Sequence, residues 1–144
     1  MKIVKYSLAL ITIILFSSGA GAVELLGHKW YLGILNQQAL IMADYPEQKP
    51  YLQFETDNTF TAFIGCNRIV GNYSLIDKNG LQLNAAIPAA NNIKCKPDFI
   101  ALENTFINSL PNVKVWQITN DVLYLKAKVN DITSIAIFMP DEPY

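Results

Sequence analysis

Residues 63–73 (FIGCNRIVGNY) contain the side chains of this 144-residue chain that are best suited to chemistry. A thiolate at Cys66 would be stabilised by the guanidinium of Arg68, and His28, the single histidine, would be its general base. The other cysteine, Cys95, suggests a different role, because two cysteines pair by default in an oxidising compartment. The alternatives are a thiol enzyme and a structural disulfide between Cys66 and Cys95, and we favour the disulfide.

The N-terminus indicates the compartment. Two lysines precede an uncharged run, residues 6–16, and small residues follow it at Ala20-Gly21-Ala22. This pattern is typical of a secretory signal peptide with an A-x-A cleavage site. The apolar run is about half of the roughly 20 residues that span a bilayer. We therefore expect cleavage after residue 22 and a soluble periplasmic or secreted protein that starts at Val23, without a stable membrane anchor.

Composition limits the function of the mature part. Residues 23–144 suffice for a single domain with one hydrophobic core. Without the two signal-peptide lysines, 9 basic and 12 acidic side chains remain, and the formal charge is −3. No basic cluster favours nucleic acid as a partner. One histidine and two distant cysteines do not supply a zinc site, and no glycine-rich phosphate loop is present. We expect no metal and no cofactor.

Short apolar segments separated by turn residues predict an antiparallel sheet. The predicted strands, about eight in number, are residues 29–35, 51–55, 59–64, 71–76, 81–85, 113–118, 122–126 and 133–138. In the first strand, Trp30, Leu32 and Ile34 are expected to share one face. The pair Asn79-Gly80 is expected to supply the positive φ angles of a tight hairpin turn.

One segment has the period of a helix. Apolar residues at spacings of three and four extend from Pro97 or Asp98 to Leu110, and Pro111 follows. The stripe consists of Phe99, Leu102, Phe106 and Leu110, and Ile100 and Ile107 are expected to widen it. These elements predict an α+β fold: a curved, barrel-like antiparallel sheet of about eight strands with one amphipathic helix packed on it.

Several short motifs occur in one order along the mature chain. They are Trp30-Tyr31-Leu32, Leu52-Gln53-Phe54, Gly65-Cys66-Asn67 followed by Gly71-Asn72-Tyr73, Cys95 before a helix with Glu103, and Leu123-Tyr124-Leu125. This order resembles the META domain family, and the G-C-N-x-x-x-G-x-Y core is fairly specific. The lead-in to the second cysteine, residues 91–94, differs from the family's usual run. The resemblance implies an HslJ-like exported domain of the bacterial envelope, linked to stress tolerance or virulence.

We therefore expect a non-enzymatic, monomeric domain that binds an unidentified protein or envelope component. Gly65, Asn67, Arg68, Gly71 and Tyr73 form the candidate binding loop. Its glycines allow tight backbone turns, and its asparagine can satisfy free turn amides. Three rival hypotheses remain: an inhibitor of a hydrolase such as lysozyme, the thiol enzyme, and a carrier of an apolar ligand inside the sheet.

Overall fold

A computed structural model describes residues 25–86 and 94–140. The predicted signal peptide, residues 1–22, lies outside these residues. The elements in chain order are β1 (Lys29–Leu35), β2 (Gln38–Ala39), β3 (Tyr51–Phe54), β4 (Thr59–Phe63), β5 (Arg68–Ile76), β6 (Gly80–Ala86), α1 (Pro97–Ser109), β7 (Val115–Thr119), β8 (Val122–Lys126) and β9 (Ala136–Met139). Two 3₁₀ turns, Met42–Asp44 and Leu110–Asn112, complete the set.

The strands form a closed antiparallel barrel. Pairing runs in the order β1, β3, β4, β5, β6, β7, β8 and β9, and β9 then returns to β1 through pairs that include Tyr31 with Met139 and Leu35 with Ala136. The two-residue strand β2 folds back on the end of β1, where Ala39 lies opposite Ile34. The predicted α+β class, with about eight strands and one packed helix, is confirmed, and closure of the sheet removes most free strand edges.

A bulge changes which side chains of β1 face the core. The register against β9 shifts between Leu32 and Ile34, around Gly33. Beyond the bulge the alternation of faces is displaced by one residue. Leu35 is therefore buried while Ile34 is only half-buried, and the prediction that Ile34 shares the inner face with Trp30 and Leu32 is wrong.

Helix α1 covers the barrel with the predicted stripe. Phe106 and Leu110 are fully buried in the core, with 0% and 1% of their surface exposed. The helix ends at Ser109, and Pro111 lies in the following 3₁₀ turn, Leu110–Asn112. Ile100 does not widen the stripe as predicted, because it is 43% exposed.

The seam between β6 and β7 is narrow. It has a single residue pair, Gly80 with Val115, flanked by backbone bonds on either side. The Asn79 side-chain amide donates to the Trp116 carbonyl oxygen at 3.2 Å, and the Trp116 amide donates back to the Asn79 oxygen at 3.0 Å. The prediction that Asn79-Gly80 supplies the positive φ angles of the hairpin between β5 and β6 is wrong. The positive φ falls at Asp77 (φ 52°), and Gly80 is already part of β6.

Candidate functional site

The two cysteines form a disulfide that joins the corner between β4 and β5 to the start of α1. The Cα atoms of Cys66 and Cys95 are 5.6 Å apart, and 29 residues separate them along the chain. Neither cysteine is free. The disulfide hypothesis is therefore supported, and Cys66 in this state has no thiolate with which to attack a substrate. The rings of His28 and Trp30 pack in a T-shaped arrangement, with their centroids 5.0 Å apart.

A buried carboxylate fastens the same corner a second time. Glu103, only 4% exposed, accepts hydrogen bonds from the Asn67 backbone N–H at 2.6 Å and from the Asn67 side-chain Nδ2 at 2.8 Å. The same Nδ2 also lies 3.3 Å from Cys66 Sγ. Hydrogen bonds to an ionised acceptor are stronger than neutral ones. Asn67 therefore donates both its backbone N–H and its side-chain amide to a carboxylate on helix α1. The sequence analysis did not identify Glu103 as a residue of this site.

The position of Glu103 in the sequence of the helix indicates that its side chain is buried and hydrogen-bonded. Glu103 lies four residues after Phe99 and three before Phe106, on the face that packs against the barrel. A charged residue on an otherwise apolar stripe is seldom buried without a hydrogen-bonding partner. The pattern thus indicates a buried polar contact, although it does not identify the residue that donates.

A stack of two aromatic rings packs beside Gly65 at the same corner. The rings of Tyr45 and Phe99 are stacked with centroids 4.8 Å apart. Gly65 adopts φ +116°, and a Cβ there would lie 2.9 Å from Tyr45 Cε1. A side chain at this position would be strained and would also clash, so glycine is required. Burial, and secondarily the charge of Asp44, raises the pKa of the Tyr45 hydroxyl above its usual 10.0.

Two members of the candidate binding loop belong to the barrel wall. Gly71 pairs with Phe60 inside the sheet, and a Cβ on Gly71 would lie 2.5 Å from the Phe60 ring. Tyr73 is 4% exposed and donates its hydroxyl hydrogen to the Glu55 carbonyl oxygen at 2.6 Å. Burial, followed by the charges of Asp57 and Glu55, raises the pKa of the Tyr73 hydroxyl. These contacts explain both residue types without a ligand.

Arg68 is the exposed member of the loop. It opens β5 opposite Phe63, and its guanidinium makes no hydrogen bond or ion pair within residues 25–86 and 94–140. Gly65 and Asn67 are partly exposed beside it. The structure therefore brings the disulfide, Asn67 and Arg68 together at one corner, whereas Gly71 and Tyr73 are directed into the wall and core.

A groove adjoins this corner. It has a volume of about 390 Å³ and lies between residues 38–45 and the first turns of α1. Tyr45 and Phe99, which contact Gly65, form part of its wall. The ammonium group of Lys96 lies 5.4 Å from the centroid of the Phe99 ring, within the range of a cation–π contact. The groove is lined by both apolar and charged residues.

The barrel interior is filled by side chains. The largest of the fully buried residues are Trp30, Phe54, Phe60, Phe106 and Phe138. This packing argues against a carrier of an apolar ligand inside the sheet. No three His, Cys, Asp or Glu side chains in the described part of the chain are grouped to hold a metal ion. Across those same residues, none of the helices is both long and apolar enough to span a bilayer.

Comparison with solved structures supports the fold. A DUF4847 family protein from Bacteroides vulgatus ATCC 8482 superposes with a TM-score of 0.54 at 18% identity, over 83% of this chain and 96% of the other. A protein from Burkholderia xenovorans, determined by NMR, gives a TM-score of 0.58 at 19% identity, over 98% and 100%. Likeness at such identities shows the fold alone.

Comparison at the level of sequence identifies the family. No curated protein matches this chain. The sequence profile of the META domain matches residues 23–137, a range that includes strands β1 to β8, the start of β9, the disulfide and helix α1. The match extends over far more than half of the sequence, and we conclude that this chain belongs to the META domain family.

Proposed function

We propose that this protein is exported and acts as a non-enzymatic binding module in envelope stress tolerance or virulence. The observation that carries the proposal is the corner around Cys66, which three separate contacts hold to helix α1. They are the disulfide to Cys95, the paired hydrogen bonds from Asn67 to Glu103, and the packing of Gly65 on an aromatic stack. A surface held rigid before binding loses little conformational entropy when a partner docks.

The chemistry of the corner also supports binding over catalysis. Its sulfur is in a disulfide, and its carboxylate already accepts two hydrogen bonds. Nucleophilic and acid–base mechanisms need such groups to be available to a substrate. At the surface of the corner, the guanidinium of Arg68 is exposed, and a groove lies beside it. Both suit non-covalent recognition.

Export is supported by the disulfide and by the N-terminal sequence. Disulfides persist in oxidising compartments and are rare in the cytosol. The A-x-A pattern at residues 20–22 predicts a mature chain that starts at Val23. Intact mass spectrometry of protein from the envelope fraction should therefore give the mass of residues 23–144. A retained N-terminus would contradict the export mechanism.

A complementation experiment tests the role. A strain lacking this protein should grow less well under heat or detergent stress, and the full chain should restore growth. A form expressed without residues 1–22 should not restore it, because it would stay in the reducing cytosol. Equal rescue by both forms would refute an envelope function. Inhibition of lysozyme by the purified domain would narrow the proposal to a hydrolase inhibitor.

A further inference from the structure

A long furrow follows one flank of helix α1. Three grooves, with volumes of about 390, 240 and 340 Å³, lie in succession along the helix. The first and second share Gln38, Asp98 and Leu102, and the second and third share Thr105. From Lys96 to Ser109 the helix rises about 20 Å, which matches about six residues of extended peptide. We call this feature the helix furrow.

The wall opposite α1 is the outer edge of β2, which pairs with no other strand among residues 25–86 and 94–140. A two-residue turn links β1 to β2, so Leu35 and Gln38 form the hydrogen-bonded pair next to it. The Leu40 amide then donates to the Gly33 oxygen at 2.8 Å. Ala39 lies between these two rungs, opposite Ile34, and its N–H and C=O must therefore point away from β1. Ala39 is exposed and lines the furrow.

The furrow also has a defined charge and an apolar site. Asp44 and Asp98 line its first section and form no ion pair with any residue that the structure describes. Lys96, which lines the same section, lies over the Phe99 ring. Ile41, which is 67% exposed, lines this section as well. A basic side chain would pair with the two carboxylates, and an apolar side chain would cover Ile41.

We propose that the helix furrow binds an extended peptide segment of another protein, which adds as a strand to the free edge of β2. Strand addition uses the outward N–H and C=O of Ala39 for affinity, and the furrow selects side chains for specificity. The carboxylates of Asp44 and Asp98 select a lysine or arginine, and the exposed Ile41 selects a hydrophobic neighbour. This inference rests on the proposed binding function and names the class of its partner.

The test uses a defined probe. A phage-displayed library of random linear nonapeptides is panned against the disulfide-bonded domain, residues 23–144. We expect enrichment of sequences with a basic and an apolar residue. Addition of a synthetic winner should shift the amide NMR signals of β2 and of α1. N-methylation scanned along the peptide should weaken binding most at the one position whose N–H reaches the Ala39 carbonyl oxygen, because the neighbouring peptide N–H groups face away from β2.

Variants of the protein test separately the strand addition at Ala39 and the charge pairing with Asp44 and Asp98. Ala39→Pro removes an N–H that the β1 ladder does not use, and it should weaken binding about tenfold while the fold survives. Asp44→Asn combined with Asp98→Asn should weaken binding and reduce its salt dependence. The matched control, Asp121→Asn, changes an exposed acid at the tip of the β7–β8 hairpin and should leave binding unchanged.

Several results would overturn the inference. They are enrichment of no peptide, binding that is insensitive to both furrow variants, NMR shifts confined to other surfaces, and a dimer that Ala39→Pro dissociates. The last result would assign the edge to a second copy of this chain. Complementation distinguishes this failure from failure of the proposed function. If the Asp44→Asn, Asp98→Asn chain rescues stressed cells fully, the furrow inference fails and the envelope role remains.

Discussion

Replacing Glu103 by alanine tests whether the buried carboxylate holds the Cys66 corner to the helix. The change deprives the part-buried Asn67 N–H of its acceptor and breaks the 2.8 Å bond from Asn67 Nδ2. Each hydrogen bond to a charged group contributes about 1.5–3 kcal/mol. Two facts reduce the sum: Nδ2 keeps its contact with Cys66 Sγ, and loss of a buried charge removes its desolvation cost. We expect a loss of about 2–4 kcal/mol in the free energy of unfolding.

Two further variants divide this loss. In Glu103→Gln the oxygen still accepts from the Asn67 N–H, while the new amide nitrogen needs an acceptor. Asn67 Oδ1 is buried and has no partner within the described residues, so the Asn67 side chain can turn over and supply one. Asn67→Ala keeps the bond from its backbone N–H to the carboxylate. Each of these variants should therefore cost about 1–2 kcal/mol, less than Glu103→Ala.

The assay is denaturant unfolding of the mature domain with its disulfide intact. Asn104→Ala is the matched control, because Asn104 is the exposed neighbour of Glu103 on the same helix. Its unfolding midpoint should stay close to that of the wild type, or rise slightly with the better helix propensity of alanine. Equal midpoints for Glu103→Ala and Asn104→Ala would refute the reasoning, as would a greater loss in Asn67→Ala than in Glu103→Ala.

Three other predictions concern the same core. Replacing Cys66 and Cys95 by serine should lower stability by about 3.6 kcal/mol in the chain-entropy model for a loop of about 30 residues. Thiol counting on the unfolded, unreduced protein should find none, and two free thiols would contradict the disulfide. Phe106→Ala should cost about 3–5 kcal/mol, since its ring is fully buried; an unchanged denaturation midpoint would place that face of the helix elsewhere. Burial raises the pKa of Tyr45 and Tyr73 in the folded state. Their contribution to stability should therefore be complete below pH 10.0 and lost as the pH rises through the folded pKa values, which unfolding melts and a tyrosinate absorbance titration can follow.

Local patterns predicted much of the fold. The strands β7 and β8 were recognisable because apolar residues flank the pair Asn120-Asp121, whose φ angles of 50° and 62° form a tight turn in the structure. Helix α1 was predictable for a similar reason, since its period is local and proline lies at its start. These strands and this helix were predictable because their signals lie within a few neighbouring residues of the sequence.

Features set by distant contacts were not predictable. Closure of the barrel pairs Tyr31 with Met139, more than one hundred residues away in sequence, and no local pattern encodes that register. The bulge at Gly33 exchanged the expected faces of Ile34 and Leu35, and it too depends on the pairing with the distant strand β9. Gly71 was predicted to open a strand and to allow a tight turn before it, but it lies inside β5, where it makes room for the Phe60 ring. Its role depends on the strand beside it.

In the candidate site, too, some contacts could be predicted from the sequence and others, which depend on distant residues, could not. The link from Cys66 to Cys95 could be inferred because only two cysteines were present and the sequence indicated export. The carboxylate of Glu103 reaches Asn67 across 36 positions, and nothing in the period of α1 specifies that donor. The Ala39 edge was missed because β2 has only two residues and no alternation to detect.

The narrow seam between β6 and β7 has a consequence for the motions of the barrel. One residue pair closes that seam, whereas seven join β5 to β6 and five join β7 to β8. Local opening costs least where the fewest hydrogen bonds must break together. The amide protons of Leu81 and Trp116, which bridge the seam, should exchange with solvent through brief openings well before those in the middle of β5. We therefore expect the barrel to open locally between β6 and β7, while β1 and β9 stay paired.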